Sequence, residues 1–160
     1  MKFEEKYSKK SNPEQPSDIE VERKELFKQT TVYINAGGRG TRLDSILKPN
    51  SETGITKALI EVKGIPIVKL LSDNLLRQGF GGIIVGAGDH KNISDYYERT
   101  REASESEGRI EVINFADQLG TGGDLLRSIR REKNNISNNV LIQNVDTAVV
   151  FDTGKLLEQH

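Results

Sequence analysis

Residues 36–43 read Ala36-Gly37-Gly38-Arg39-Gly40-Thr41-Arg42-Leu43. Glycines at Gly37, Gly38 and Gly40 remove side chains where backbone must approach a ligand closely. Successive N–H groups in such a turn can point at anionic oxygens. Arg39 and Arg42 add planar guanidinium forks that suit phosphate geometry. The combination fits a polyphosphate, whose charge must be met without bulk. The simpler alternative is a plain glycine-rich turn, and the two arginines count against it. A second such stretch is Asp117-Gln118-Leu119-Gly120-Thr121-Gly122-Gly123. Its glycines would let a flat base approach the backbone, and a following helix N-terminus would offer unpaired N–H groups. As a bare loop it would only start a helix, with Thr121 as a cap. Asp146 follows the apolar run Val140-Leu141-Ile142-Gln143. A carboxylate at a strand's carboxyl end beside a polyphosphate is a suitable Mg²⁺ ligand; alone, it would read as a turn aspartate bonding its own backbone. Asp89 and His90 read as a helix cap and a first-turn residue rather than as catalytic groups.

Two familiar phosphate-binding patterns fit poorly. A dinucleotide fingerprint needs a third glycine where Leu43 stands, although Glu61 lies at the distance expected of a ribose-binding acid. A P-loop needs Gly-Lys-Ser/Thr, and no such tripeptide occurs.

The elements that must position these residues follow from periodicity. Thr31-Val32-Tyr33-Ile34 is a buried strand by composition, and it runs straight into the first glycine loop. Residues 59–62 form another short extended run. Ile67, Leu70, Leu71, Asn74, Leu75 and Gln78 share a helical face that Gly79 ends. Residues 82–86 predict a strand, 91–104 a helix, and 109–113 a strand. A helix after Gly123 carries Leu125, Leu126 and Ile129; residues 140–143 predict a strand and 153–159 the start of a helix. Strands separated by helices imply βαβ units and a mostly parallel sheet. Ligands in such sheets sit at the carboxyl ends of the strands. Residues 1–29 read as a polar N-terminal extension, partly flexible, around Pro13 and Pro16. Within it, 18–28 predicts an amphipathic helix with Val21, Leu26 and Phe27 as its apolar contacts. Residues 30–160 read as one nucleotide-binding domain, incomplete at its C-terminal end.

The chain has 160 residues, a net charge of -1 and no cysteine. That length suffices for one domain with a core. Near-neutral charge gives no general pull on nucleic acid or anionic membrane. Absence of cysteine excludes disulfides, thiolate metal sites and a cysteine nucleophile. No apolar run reaches the roughly 18 residues of a membrane span, and the N-terminus lacks an apolar signal region. The expectation is a cytoplasmic protein with small-molecule ligands.

The segment from Tyr33 to Leu43 resembles the opening signature of the sugar-1-phosphate nucleotidyltransferases, the NDP-sugar pyrophosphorylases. That signature reads as a strand, Ala-Gly-Gly-x-Gly-Thr-Arg-Leu, a variable loop, and a lysine followed by small apolar residues. The matches here are Ala36 to Leu43 and Lys57-Ala58-Leu59-Ile60-Glu61-Val62. Gly64-Ile65-Pro66 is similar to the family's Gly-x-Pro, Leu119-Gly120-Thr121-Gly122-Gly123 to its second nucleotide motif, and Asn144-Val145-Asp146 to its metal-binding aspartate. The resemblance covers residues 31–160 in the family's order.

The resemblance implies a Rossmann-like three-layer αβα sandwich, truncated relative to the full family domain, with NTP and sugar 1-phosphate as partners. Arg42 would hold the β- and γ-phosphates, Lys57 would neutralise charge at the α-phosphate, and Asp146 would hold Mg²⁺. Ala36, Gly37, Gly38, Gly40 and Thr41 would admit the nucleotide, with Gln118, Gly120 and Thr121 beside base and ribose. Relatives that use uracil or thymine carry glutamine where Phe115 stands, so the base is open. Val145 replaces the usual glycine, Thr56 replaces proline, and the loop from Arg42 to Lys57 is longer than usual, as a surface lid would be. The acceptor-sugar contacts of relatives come from a later half, so weak or absent transferase activity is expected of this chain alone. A half-domain would leave apolar surface open to self-association or a complementing chain. Two other readings stay open: a non-catalytic nucleotide-binding or regulatory module, and an NAD(P)-binding Rossmann domain.

Overall fold

Thr30 to Ile34 are β-branched or aromatic and form the central strand β1 (Thr30–Asn35) in a computed structural model of the chain. The structure describes residues 18–38, 56–100, 109–117, 119–133 and 135–147. Around β1 lie α1 (Asp18–Lys28), β2 (Glu61–Val62), β3 (Ile65–Pro66), α2 (Ile67–Gln78), β4 (Gly82–Gly88), α3 (Lys91–Thr100), β5 (Ile110–Asn114), α4 (Gly120–Arg131) and β6 (Asn139–Asn144). Four strands make one sheet in the order β5-β4-β1-β6, and every pairing is parallel. The expected α/β class and parallel sheet are what the chain adopts.

Alternation along β1 builds two layers. Val32 and Ile34 join Ile83, Val85, Phe27, Val68, Leu75, Phe80 and Ile93 in the larger core. Tyr33 faces the other way with Ile84 and Ile113, against which Leu125 of α4 packs. The central strands β1 and β4 are therefore covered on both faces, as a parallel sheet requires.

Several local expectations change. Leu59 to Val62 does not join the main sheet: Lys57–Leu59 is a 3₁₀ turn, and Glu61–Val62 pairs only with Ile65–Pro66 in an exposed hairpin. On α2, Val68, Ser72 and Leu75 are the fully buried positions, so the core stripe is rotated from the expected face. Ser72 can enter it because its hydroxyl bonds the Val68 carbonyl and meets Tyr97 Oη at 2.8 Å. α4 starts at Gly120, ahead of its expected start after Gly123. On α1, Phe27 is buried and stacks on Phe80 with ring centroids 4.8 Å apart, whereas Val21 is exposed. The helix within the expected extension is thus seated in the main core. Burying a phenylalanine contributes about 2 kcal/mol. Beyond β1, the outer strand β6 exposes Val140 and Ile142. Among the described residues no helix is long and apolar enough to cross a membrane. The expected helix at 153–159 lies outside the described residues.

Candidate functional site

The chain forms β1, β4 and β5 in succession to one side, then places β6 on the other side of β1. That reversal opens a crevice beyond the carboxyl ends of β1 and β6, where ligands bind in open α/β sheets. Ala36, Gly37 and Gly38 leave β1 at this point, and Val145 and Asp146 leave β6 beside them. Two backbone bonds hold the exit: Ala36 N–H donates to Gly86 O at 2.9 Å, and Val145 N–H donates to Asn35 O at 3.2 Å.

Gly37 rests on Gly88 at the end of β4. A Cβ on Gly37 would lie 2.9 Å from Gly88 N, closer than packed atoms tolerate. Gly88 adopts a φ of 58°, which glycine reaches without a Cβ penalty. Its carbonyl accepts from Phe115 N–H at 2.7 Å and Asn114 Nδ2 at 3.2 Å. Two glycines thus let the first loop, the β4 end and the β5 end touch backbone to backbone. Gly37→Val is expected to lose about 2–3 kcal/mol through this overpacking, read as a lower chemical-denaturation midpoint with an unchanged m-value. Gly38 is exposed, and a Cβ there would meet nothing within 4 Å. Packing among the described residues does not demand a glycine at 38.

Lys57 and Asp146 are 89 residues apart in sequence, yet Lys57 Nζ donates to Asp146 Oδ2 at 3.0 Å. The 3₁₀ turn Lys57–Leu59 aims the lysine by burying Ala58 against the core. Both side chains keep solvent access, at 27% and 54%.

From the other side comes α4. Its N-cap is Leu119, without a side-chain cap, so Thr121 is a first-turn residue and the alternative reading of it as a cap does not hold. The buried Asp124 carboxylate accepts from Leu119 N–H at 3.2 Å. Gly120 bends the chain into the helix with a φ of 75°. Asn35 Nδ2 then donates to Thr121 Oγ1 at 3.2 Å and to Asn144 Oδ1 at 3.1 Å, joining β1, α4 and β6.

The sequence pattern did not reveal the β5–α4 corner. The Arg127 guanidinium lies over the Phe115 ring, 5.4 Å from its centroid. It also forks onto both oxygens of Asp117, at 2.7 and 2.8 Å. The bond from Arg127 holds the Asp117 carboxyl below the usual carboxylate range. Nor did it reveal Asn35, which reads as the polar end of a strand. Asp89 and His90 both precede α3, which starts at Lys91; His90 Nδ1 lies 3.8 Å from Asp89 Oδ1.

Of the expected site residues, Ala36, Gly37, Gly38, Lys57, Gly120, Thr121 and Asp146 stand on elements that converge at the crevice. Arg39, Gly40, Thr41, Arg42 and Gln118 lie outside the described residues. Glu61 lies in the exposed hairpin and not at the end of a strand neighbouring β1. Among the described residues no three His, Cys, Asp or Glu side chains gather as a metal cluster.

No protein-family model matches the chain, and no curated protein matches it in sequence. Solved structures do. HddC from Yersinia pseudotuberculosis, crystallised with GMP-PN, is 28% identical with a TM-score of 0.62; the match covers 81% of this chain and 53% of HddC. A nucleotidyl transferase from Methanothermobacter thermautotroptrophicus, Mth528, is 19% identical with a TM-score of 0.58, over 82% of this chain and 57% of that one. This chain spans about half the length of each. It has the Rossmann-like fold of the nucleotidyl transferases, with Gly37, Gly38, Lys57 and Asp146 gathered at the switch point of the sheet.

Proposed function

We propose that the chain is the NTP-binding part of a sugar-1-phosphate nucleotidyltransferase. The observation that carries this reading is the meeting of Lys57 and Asp146 at 3.0 Å, beside the exit of Gly37 and Gly38 from β1. A cation and a carboxylate from distant parts of the chain flank one backbone turn, as a metal-bound polyphosphate needs.

In this reaction a sugar-1-phosphate oxygen attacks the NTP α-phosphorus in line. The bond to the β-phosphate oxygen breaks, giving NDP-sugar and pyrophosphate. No protein nucleophile takes part, so catalysis is positioning and charge neutralisation. Lys57 meets charge at the α-phosphate and Arg42 meets it on the departing pyrophosphate. By the resemblance, Gly37, Gly38, Gly40 and Thr41 would admit the phosphates, and Gly120, Thr121 and Gln118 would serve the nucleoside. Asp146 fits Mg²⁺ as a single exposed carboxylate, because this ion takes its remaining ligands from phosphate and water. Bound there, Mg²⁺ would offset phosphate charge.

The sugar phosphate remains a partner by resemblance. GMP-PN in HddC makes a guanine nucleotide the first base to test. The test is a thermal-shift series with Mg²⁺ and ATP, CTP, GTP, UTP or dTTP, with NADH alongside. Binding at a hundred times Kd adds about 2.7 kcal/mol, so one Mg-NTP is expected to raise Tm by roughly 5–10 °C. Stabilisation by NADH and by no Mg-NTP would overturn the reading. Pyrophosphate release with a panel of sugar 1-phosphates then separates a transferase from a regulatory nucleotide-binding module.

A further inference from the structure

We propose that Asn35, with Asn144 and Thr121, forms a seat for the ribose hydroxyls that selects ribonucleotides. The inference rests on the nucleotide-binding reading above and assigns a specificity role to Asn35 and Asn144, which lie outside the glycine motifs and act with Thr121 of the second motif. Asn35 ends a strand whose other five residues are buried. A leucine would suit that strand at least as well, so the core does not call for an amide there.

The hydrogen bonds set which groups face the crevice. The Asn35 amide nitrogen has two hydrogens, and both are committed, one to Thr121 Oγ1 and one to Asn144 Oδ1. Thr121 accepts, which leaves its hydroxyl hydrogen to donate. Asn144 accepts through its carbonyl, which leaves its NH₂ to donate. Asn35 Oδ1 is left as an acceptor. The seat is a neutral set of two donors and an acceptor. Phosphate would ask for donors only, and an apolar group for neither. Vicinal hydroxyls, each able to donate and accept, match the mixture.

Position agrees with chemistry. Asn144 stands two residues before Asp146 on the same strand end, and Asn35 immediately precedes the Ala36–Gly38 exit. Ribose is the uncharged hydroxyl-bearing group bonded to the α-phosphate. A nucleotide with its phosphates at Lys57 and Asp146 therefore brings its ribose to adjoining groups. A site that hydrogen-bonds a ligand hydroxyl penalises the analogue lacking it, because its own polar groups are left unpaired.

The test is calorimetric titration of the 160-residue chain with Mg-GTP and with Mg-2′,3′-dideoxy-GTP, the same pair being run for the adenine nucleotides. It compares the native chain, Asn35→Leu and Asn144→Ala, with unliganded melting to confirm folding. The native chain is expected to prefer the ribonucleotide about tenfold or more. Asn35→Leu should bind both analogues alike, near the native affinity for the dideoxynucleotide, and Asn144→Ala should lose part of the preference. If Asn35→Leu does not fold, Asn144→Ala, altered at an exposed strand end, decides. A native chain without preference, or variants that keep it while nucleotide still binds, would overturn the ribose seat and leave the nucleotide site standing. Absence of all Mg-NTP binding by the native chain would instead overturn the nucleotide reading, and this inference with it.

Discussion

Asp146→Asn is expected to lower Mg²⁺-dependent nucleotide affinity about 100-fold, roughly 2.7 kcal/mol, while leaving Tm within about 2 °C of the native chain. The two halves of this expectation have separate causes. The Lys57–Asp146 pair is solvent-accessible, and such pairs contribute about 0–1 kcal/mol to folding. Neutralising the carboxylate therefore costs the fold little. For the ligand it removes a charged oxygen donor that stands just past the end of β6, beside the exit of the glycine turn. Removing it also releases the Lys57 ammonium for phosphate, so affinity without metal should stay or rise. Titration of the native and variant chains with GTP, with Mg²⁺ and with EDTA, reads both effects. Equal Mg²⁺ dependence in the two chains would place the metal elsewhere.

Gly81→Ala is expected to destabilise the protein by about 3 kcal/mol, roughly 10 °C in Tm. A Cβ on Gly81 would collide with the Lys28 carbonyl oxygen at the end of α1. The obstacle is backbone, so no side chain can rotate aside. The same contact is fixed by Gly81 N–H donating to Phe27 O at 3.0 Å and by the stack of Phe27 on Phe80. Pushing α1 outward would break both. Removing residues 1–28 should cost at least as much, through exposure of Phe80 and the start of β4. A variant melting with the native protein would show that α1 adds nothing to the fold.

The residues that carry local meaning were legible in the sequence. Apolar and β-branched runs marked β1, β4, β5 and β6, as strands of a parallel sheet require. Gly79 marked the end of α2, and the alternation of strands and helices dictated a parallel sheet. Ala36 to Gly38, Lys57 and Asp146 were singled out by residue type and motif. Where local rules failed, a distant contact had prevailed. Ser72 enters the α2 core stripe because Tyr97 and a helical carbonyl satisfy its hydroxyl. Glu61 and Val62 pair only with Ile65 and Pro66, so the extended character of the run signified a hairpin and not a strand of the main sheet. Arg127 reaches Phe115 and Asp117 across the β5–α4 corner.

The amino-acid order by itself determined the elements and the chemical types at their ends, since propensity and hydrophobic period act over a few neighbouring residues. Only the tertiary structure decided which ends meet. Placing β6 beside β1 rather than beyond β5 is a choice between sheet edges, visible only in the strand pairing. It brings Asn35 to Asn144 and Lys57 to Asp146 across 109 and 89 residues of chain, separations over which no sequence periodicity can register a contact.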